Sequence, residues 1–264
     1  MDLATLLGIA VALGGILLGQ ALEGGSILQI LQPTAALIVF GGTIGATMIG
    51  FPLSTFMQAV SDLIHFIRDE DIRPNEVIDD IVKFTNKARR EGIIALEKDA
   101  NEIKDSFFRK AIMMAVDGTE PKELRETMEC ELQYMEERGE HSAKVYEAAG
   151  GYAPTIGIIG AVLGLIQVMQ HLDNIEEVGK GIAVAFVATI YGVASANILL
   201  LPAAGKLKFK HRQKMIVKEM MLEGTLGILE GQNPRIIEGK LASFLEEKLQ
   251  KLREESGKNK AKAA

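Results

Sequence analysis

Apolar residues in this chain are gathered into four long runs: Leu3–Leu22, Pro33–Phe51, Tyr152–Gln170 and Gly181–Leu201. Each is about 20 residues, the length at which a helix crosses roughly 30 Å of hydrocarbon. None contains Asp, Glu, Lys or Arg. Four uncharged runs of this length predict four transmembrane helices. The first lacks a basic leading region and is too long for the apolar part of a signal peptide, so it reads as an uncleaved anchor.

Between the second and third runs the pattern changes to helical amphipathicity. Leu53, Phe56, Met57, Val60, Leu63, Ile64 and Ile67 recur at helical spacing, as in a helix lying along the membrane surface. Pro74 opens a further helix with Val77, Ile78, Ile81 and Val82 inward, and ARREGIIALEKD, residues 88–99, is expected to continue it. Phe107–Val116 is another helix, broken by DGTEP at residues 117–121. Leu124, Met128, Leu132 and Met135 then mark one face of a long helix. With no proline between Lys122 and Pro154, it is expected to run into the third span. Pro234–Leu252 forms a last amphipathic helix, and ESGKNKAKAA reads as a frayed tail. No stretch alternates with the period of a strand.

The fold expected is all-α: a four-transmembrane-helix membrane protein with a helical cytoplasmic domain between the second and third spans. Its segments are 1–22 and 33–51 (first two spans), 52–148 (cytoplasmic domain), 149–171 and 179–203 (last two spans), and 204–264 (cytoplasmic helix and tail).

Charge then sets orientation. Residues 1–67 contain no Lys or Arg. The connection Glu23–Gln32 has one acid and no base, and His171–Lys180 carries Asp173, Glu176 and Glu177 against Lys180. These short loops are expected outside. The run KLKFKHRQK, residues 206–214, follows the fourth span and is expected to anchor it to the cytoplasmic face, leaving both termini inside the inner membrane. The net charge of −6 argues against a nucleic-acid binder.

Catalytic chemistry is not evident. A single cysteine, Cys130, rules out an intrachain disulfide framework and reads as a half-buried helix residue. The four histidines are scattered, and no phosphate loop, H-E-x-x-H or G-x-S-x-G occurs. Small residues recur every fourth position in all four spans, for example Gly15 and Gly19, Gly41 and Gly45, Gly160 and Gly164, and Ala188, Gly192 and Ala196. They permit close helix approach, within the chain or in an oligomer. Thr155, beside Pro154, and Thr189, among small residues, are candidates to line a hydrated path; the default for such hydroxyls is a bond back to their own helix. Ion-carrying membrane proteins place a carboxylate in the bilayer. These spans have none, so a partner would have to supply it.

The segments ARREGIIALEKD, MMAVDGTEPKELRETMECEL, YAPTIGIIGAVLGLIQVM and GIAVAFVATIYGVASANILLLP together resemble the MotA/PomA stator subunits of the bacterial flagellar motor, within a wider group that includes ExbB and TolQ. The resemblance covers nearly the whole chain. It implies a homo-oligomeric ring, expected to be a pentamer, around a dimer of a single-span MotB-like partner that carries the ion-binding aspartate. It implies no cofactor, with H+ or Na+ as cargo, and a ring that turns to push the rotor protein FliG. By motif, Arg89 or Arg90 and Glu97 look like the rotor-facing charges, and Pro154 and Pro202 like the two prolines that couple ion passage to movement. In sodium-driven members a threonine follows the glycine-x-isoleucine-glycine of the third span. Here that position is Ala161, which points to protons, with sodium as the alternative. Thr189 matches a threonine common to both types. An ExbB/TolQ-like energiser is the alternative reading, but those proteins typically have three spans with the long loop after the first.

Overall fold

The computed structural model describes residues 3–67 and 73–245, the side chains of residues 63–67 excepted. Among the described residues there is no strand. Helices α1 (Leu3–Leu22) and α2 (Pro33–Gly50) are the first two apolar runs. Then come α3 (Leu53–Ile67), α4 (Pro74–Glu91), α5 (Glu97–Glu102) and α6 (Ser106–Val116). Helix α7 is one 50-residue helix, Pro121–Gln170, α8 runs 55 residues from Ile175 to Leu229, and α9 is Pro234–Ala242. Among the described residues four helices, α1, α2, α7 and α8, are long and apolar enough to cross a membrane.

The chain forms two compact units. One comprises residues 1–70 and 138–209, and the other residues 71–137 and 210–264. Helices α7 and α8 contribute to both.

In the first unit, α7 and α8 pack through small residues. A Cβ on Gly157 would lie 2.9 Å from the Ala188 carbonyl oxygen, and one on Gly164 would lie 2.8 Å from the Gly181 oxygen. Glycine is required because the backbones nearly touch. Gly15 and Gly19 in α1 and Gly41 and Gly45 in α2 have the same spacing, yet nothing lies within 4 Å of their Cβ positions. Helix α1 buries no residue at all. The Tyr191 hydroxyl ties the α1–α2 connection to α8, donating to the Ile30 carbonyl at 2.6 Å and accepting from the Gln32 amide at 3.2 Å. Helix α3 is held by Ala59, whose carbonyl accepts from the Tyr146 hydroxyl at 2.7 Å.

Two π turns interrupt these spans, at Leu37–Gly41 in α2 and Ser195–Leu200 in α8. The second ends where the Leu201 amide donates to the Ala196 carbonyl, one residue before Pro202. Such turns concentrate where a helix must absorb an irregularity, here a residue with no N–H to give.

The second unit has an apolar core built from α4, α6, α7, α8 and α9. Ile78, Ile81, Phe107, Ile112, Leu124, Met128, Met220, Ile237 and Leu241 are almost fully buried. Gly224 and Gly227 of α8 leave room for two of these side chains: added Cβ atoms would meet Ile81 at 2.5 Å and Ile237 at 2.9 Å. Residues 210–245 thus complete the core begun by residues 73–137. At its edge Glu223 accepts from Arg125 at 2.7 Å and also from Lys240, joining α7, α8 and α9.

Three local expectations change. Residues 88–99 do not prolong α4. The helix stops at Glu91 because Gly92 has φ +86° and ψ 159°, a conformation that only glycine adopts easily, and Ile93–Leu96 forms a 3₁₀ turn. Cys130 is exposed rather than half-buried, since it lies between the inward positions of Met128 and Leu132. The last helix stops at Ala242 and not near Leu252: residues 243–245 turn, with the Ser243 hydroxyl donating to the Lys240 carbonyl at 2.6 Å in place of a continued helical bond. The side chains of Leu63, Ile64 and Ile67, and residues 246–264, lie outside the described residues.

Candidate functional site

The candidate rotor-facing charges gather around the Gly92 turn in the second unit. Arg89 and Arg90 occupy the last turn of α4, and Glu97 is the first residue of α5. All three are exposed. Their signs suit their places: cations favour the negative end of a helix dipole and anions the positive end, each by about 0.3–1 kcal/mol. Arg90 is loosely held, its Nε 3.4 Å from the Asn86 carbonyl.

A clip below these charges fixes the turn. Lys87 donates to Asp99 at 2.6 Å, bridging α4 and α5, with both side chains only about one-quarter to one-third exposed. The bond to the Asp99 carboxylate raises the Lys87 ammonium above its ordinary pKa. Leu96 plugs the turn into the core at 0% exposure, while its neighbour Ile94 is 70% exposed. The short, braced turn exposes Arg89, Arg90, Glu91, Glu97 and Lys98, with the apolar Ile94 among them. It can make charge contacts of either sign.

The remaining candidates lie in the first unit. Thr155 sits on the exposed side of α7, and its hydroxyl bonds back to the Tyr152 carbonyl at 2.8 Å. Thr189 is half-buried on α8, and its hydroxyl returns to the Ala185 carbonyl at 3.2 Å. Neither hydroxyl is spent on the opposite helix, but Thr189 lies in the tight seam: its Cα is 3.4 Å from where a Cβ on Gly157 would be. Ala161 is half-buried on α7. Pro154 lies inside α7 without ending it, and Pro202 follows the π turn of α8. Sequence reasoning missed the Lys87–Asp99 clip, because pairing residues 12 apart requires the reversal at Gly92. It also missed the Tyr191 clamp, whose partners are backbone groups with no residue signature.

Comparison with known proteins decides the family. The model for the MotA/TolQ/ExbB proton channel family matches residues 99–221, and that for the N-terminal part of motility protein A matches residues 6–92. Motility protein A of Bacillus subtilis is 38% identical over 246 residues, 93% of this chain and 91% of the relative. The chain belongs to the motility protein A family. Its backbone follows solved members of the motility protein A family closely. A chain of the C. jejuni MotAB structure matches with a TM-score of 0.89 at 35% identity, covering 94% of this chain and 97% of that one. A chain of the flagellar MotAB stator complex from Bacillus subtilis matches with a TM-score of 0.86 at 37% identity, over 94% and 98%. The chain is a multi-pass membrane protein of this family.

Proposed function

We propose that this chain is the ring-forming subunit of a flagellar motor stator, an ion-channel subunit and not an enzyme. With a MotB-like single-span partner it converts ion-motive force into torque on the rotor protein FliG. The observation that carries this reading is the absence of any Asp, Glu, Lys or Arg from the four apolar runs of a chain that otherwise matches a stator subunit along its length. An isolated charge in the bilayer is costly and kept only for function. The ion-binding carboxylate therefore belongs to the partner, and these helices supply the wall around it.

The ring is a pentamer in the inner membrane with both termini cytoplasmic, an orientation supported by the basic run Lys206–Lys214 and the base-poor connections at the other side. Ala161, where a threonine hydroxyl could have coordinated sodium, favours protons. Thr155 and Thr189 border the path, and Pro154 and Pro202 relay its occupancy into helix movement. Arg89, Arg90 and Glu97 meet the rotor. Single exposed ion pairs are worth only about 0–1 kcal/mol, so torque requires contacts repeated around the ring.

The test is swimming and ion conduction in cells carrying Arg89→Ala/Glu97→Ala. Lost swimming with conduction intact supports rotor-facing charges on a working channel. Normal swimming in cells lacking the chain, with its own partner as the sole stator partner, sinks the proposal.

A further inference from the structure

A cavity of about 300 Å³ lies within the first unit, walled by α2, α3, α7 and α8. None of its described lining residues carries a charge. Both π turns face it: Phe40 comes from the turn in α2, and Ser195, Leu199 and Leu200 from the turn in α8. Turns of this kind are frequent at functional sites. Phe56 and Tyr146 add two more aromatic rings to the wall. Ile44, Val60 and Leu199, each about half exposed, mark the open side. Four hydroxyls border the cavity, and three are committed to backbone. Thr47 donates to the Thr43 carbonyl at 2.7 Å, Ser195 to the Gly192 carbonyl at 3.1 Å and Tyr146 to the Ala59 carbonyl at 2.7 Å. The fourth, on Thr43, belongs to a residue 6% exposed and has no hydrogen-bond partner among the described residues. A buried hydroxyl left unpaired is costly. Threonine in a helix uses two χ1 rotamers, so this hydroxyl can turn toward the cavity.

We propose that this cavity binds one small, neutral aromatic carbonyl compound from the bilayer, its ring against Phe40, Phe56 and Tyr146 and its oxygen accepting from the Thr43 hydroxyl. Size, shape and polarity each select this occupant. Apolar cavities of about 150 Å³ stay dry and hold one benzene, so this one suits roughly twelve heavy atoms, about two fused rings. Three aromatic side chains line the wall, and aromatic pairs gain beyond the area they bury. Thr43 is the one bordering hydroxyl with a proton still to give. The matching group is therefore an acceptor oxygen on an otherwise apolar molecule. An acyl chain would fill the same space and leave that proton unmet. A charged ligand would lose its water and find no counter-charge in the wall.

The experiment uses the purified full chain with its co-purifying partner in phosphatidylcholine nanodiscs. Two probes of the same size are compared: 2-acetylnaphthalene, which has a ketone oxygen, and 2-isopropylnaphthalene, which has a methyl group in its place. Equilibrium dialysis against empty nanodiscs gives the amount held by protein beyond partition into lipid. Wild type is expected to bind one ketone per chain, about five-fold more tightly than the hydrocarbon, the ratio that one neutral hydrogen bond supports. Thr43→Val keeps the shape of the side chain and removes the donor. It is expected to abolish the ketone's advantage and leave hydrocarbon binding as in wild type. Ala149→Phe, on the α7 wall, fills the cavity and is expected to abolish binding of both probes in complexes that assemble. A Thr43→Val complex that still prefers the ketone overturns the proposal. So does equal binding of the two probes by wild type, which would mark a slot for acyl chains. Wild type that holds neither probe overturns it as well, since a second copy or the partner would then fill the cavity. Binding is read without motility or ion flux, so a failed stator reading leaves this result intact.

Discussion

Replacing Gly192 by Ala tests the seam between α7 and α8 directly. The new Cβ would sit 2.5 Å from the Ala153 carbonyl oxygen and 3.1 Å from the Gly157 Cα. Both neighbours are backbone, so no side chain can rotate away. Ordinary contact begins near 3.4 Å, and the helices must part locally by the difference between 3.4 and 2.5 Å, about 0.9 Å. A gap of that size forfeits roughly a quarter to a half of each dispersion contact across the seam. Overpacking of this kind costs about 1–3 kcal/mol. Helix propensity acts in the opposite direction and favours Ala over Gly by up to about 1 kcal/mol. Gly205→Ala, on the same helix with nothing within 4 Å of its Cβ position, isolates the propensity gain. Titrating the purified chain with a denaturing detergent, read by circular dichroism, should place Gly192→Ala about 1–3 kcal/mol below Gly205→Ala. Equal stability of the two variants would refute the close-packed seam.

Other consequences follow from single contacts. Burial pushes the Glu223 carboxyl up, but the hydrogen bonds from Arg125 and Lys240 outweigh it and hold the group below the usual carboxylate range. Its stabilisation is therefore present above the unfolded pKa and lost as pH falls through the folded one. Glu223→Gln should cost about 1–3 kcal/mol at neutral pH and nothing in strong acid, measured by urea unfolding across pH; a cost independent of pH would contradict this. Gly92→Ala forces a side chain onto φ +86° and should cost about 1–3 kcal/mol, with faster proteolysis at residues 89–97 as the readout. Tyr191→Phe removes a donor to Ile30 and an acceptor for Gln32. It should lower stability by about 1–3 kcal/mol and speed amide exchange in residues 27–32, and unchanged exchange would argue against the clamp.

The spans were legible because twenty uncharged apolar residues have few other uses, and α7 because no proline interrupts residues 122–153. Ile78, Ile81, Leu124 and Met128 were legible as core from their spacing alone. The turn at Gly92 was not, since the residues on either side keep a helical rhythm and only a positive φ reveals the stop. The π turns leave no compositional mark: a bond to the fifth residue instead of the fourth uses the same side chains. Spacing could not tell Gly164, pressed against α8, from Gly15, which touches nothing, because that difference lies in the partner helix. The charges Arg89, Arg90 and Glu97 were visible as a motif. The Lys87–Asp99 brace that holds them appears only once α4 and α5 are folded against each other.

The most direct test of the account is ion flux into liposomes, comparing the chain alone, the chain with its MotB-like partner, and that complex with the partner's intramembrane carboxylate neutralised. Spans without a carboxylate predict flux from the intact complex only. Flux through the chain alone, or flux that survives loss of the partner's carboxylate, would contradict the central claim.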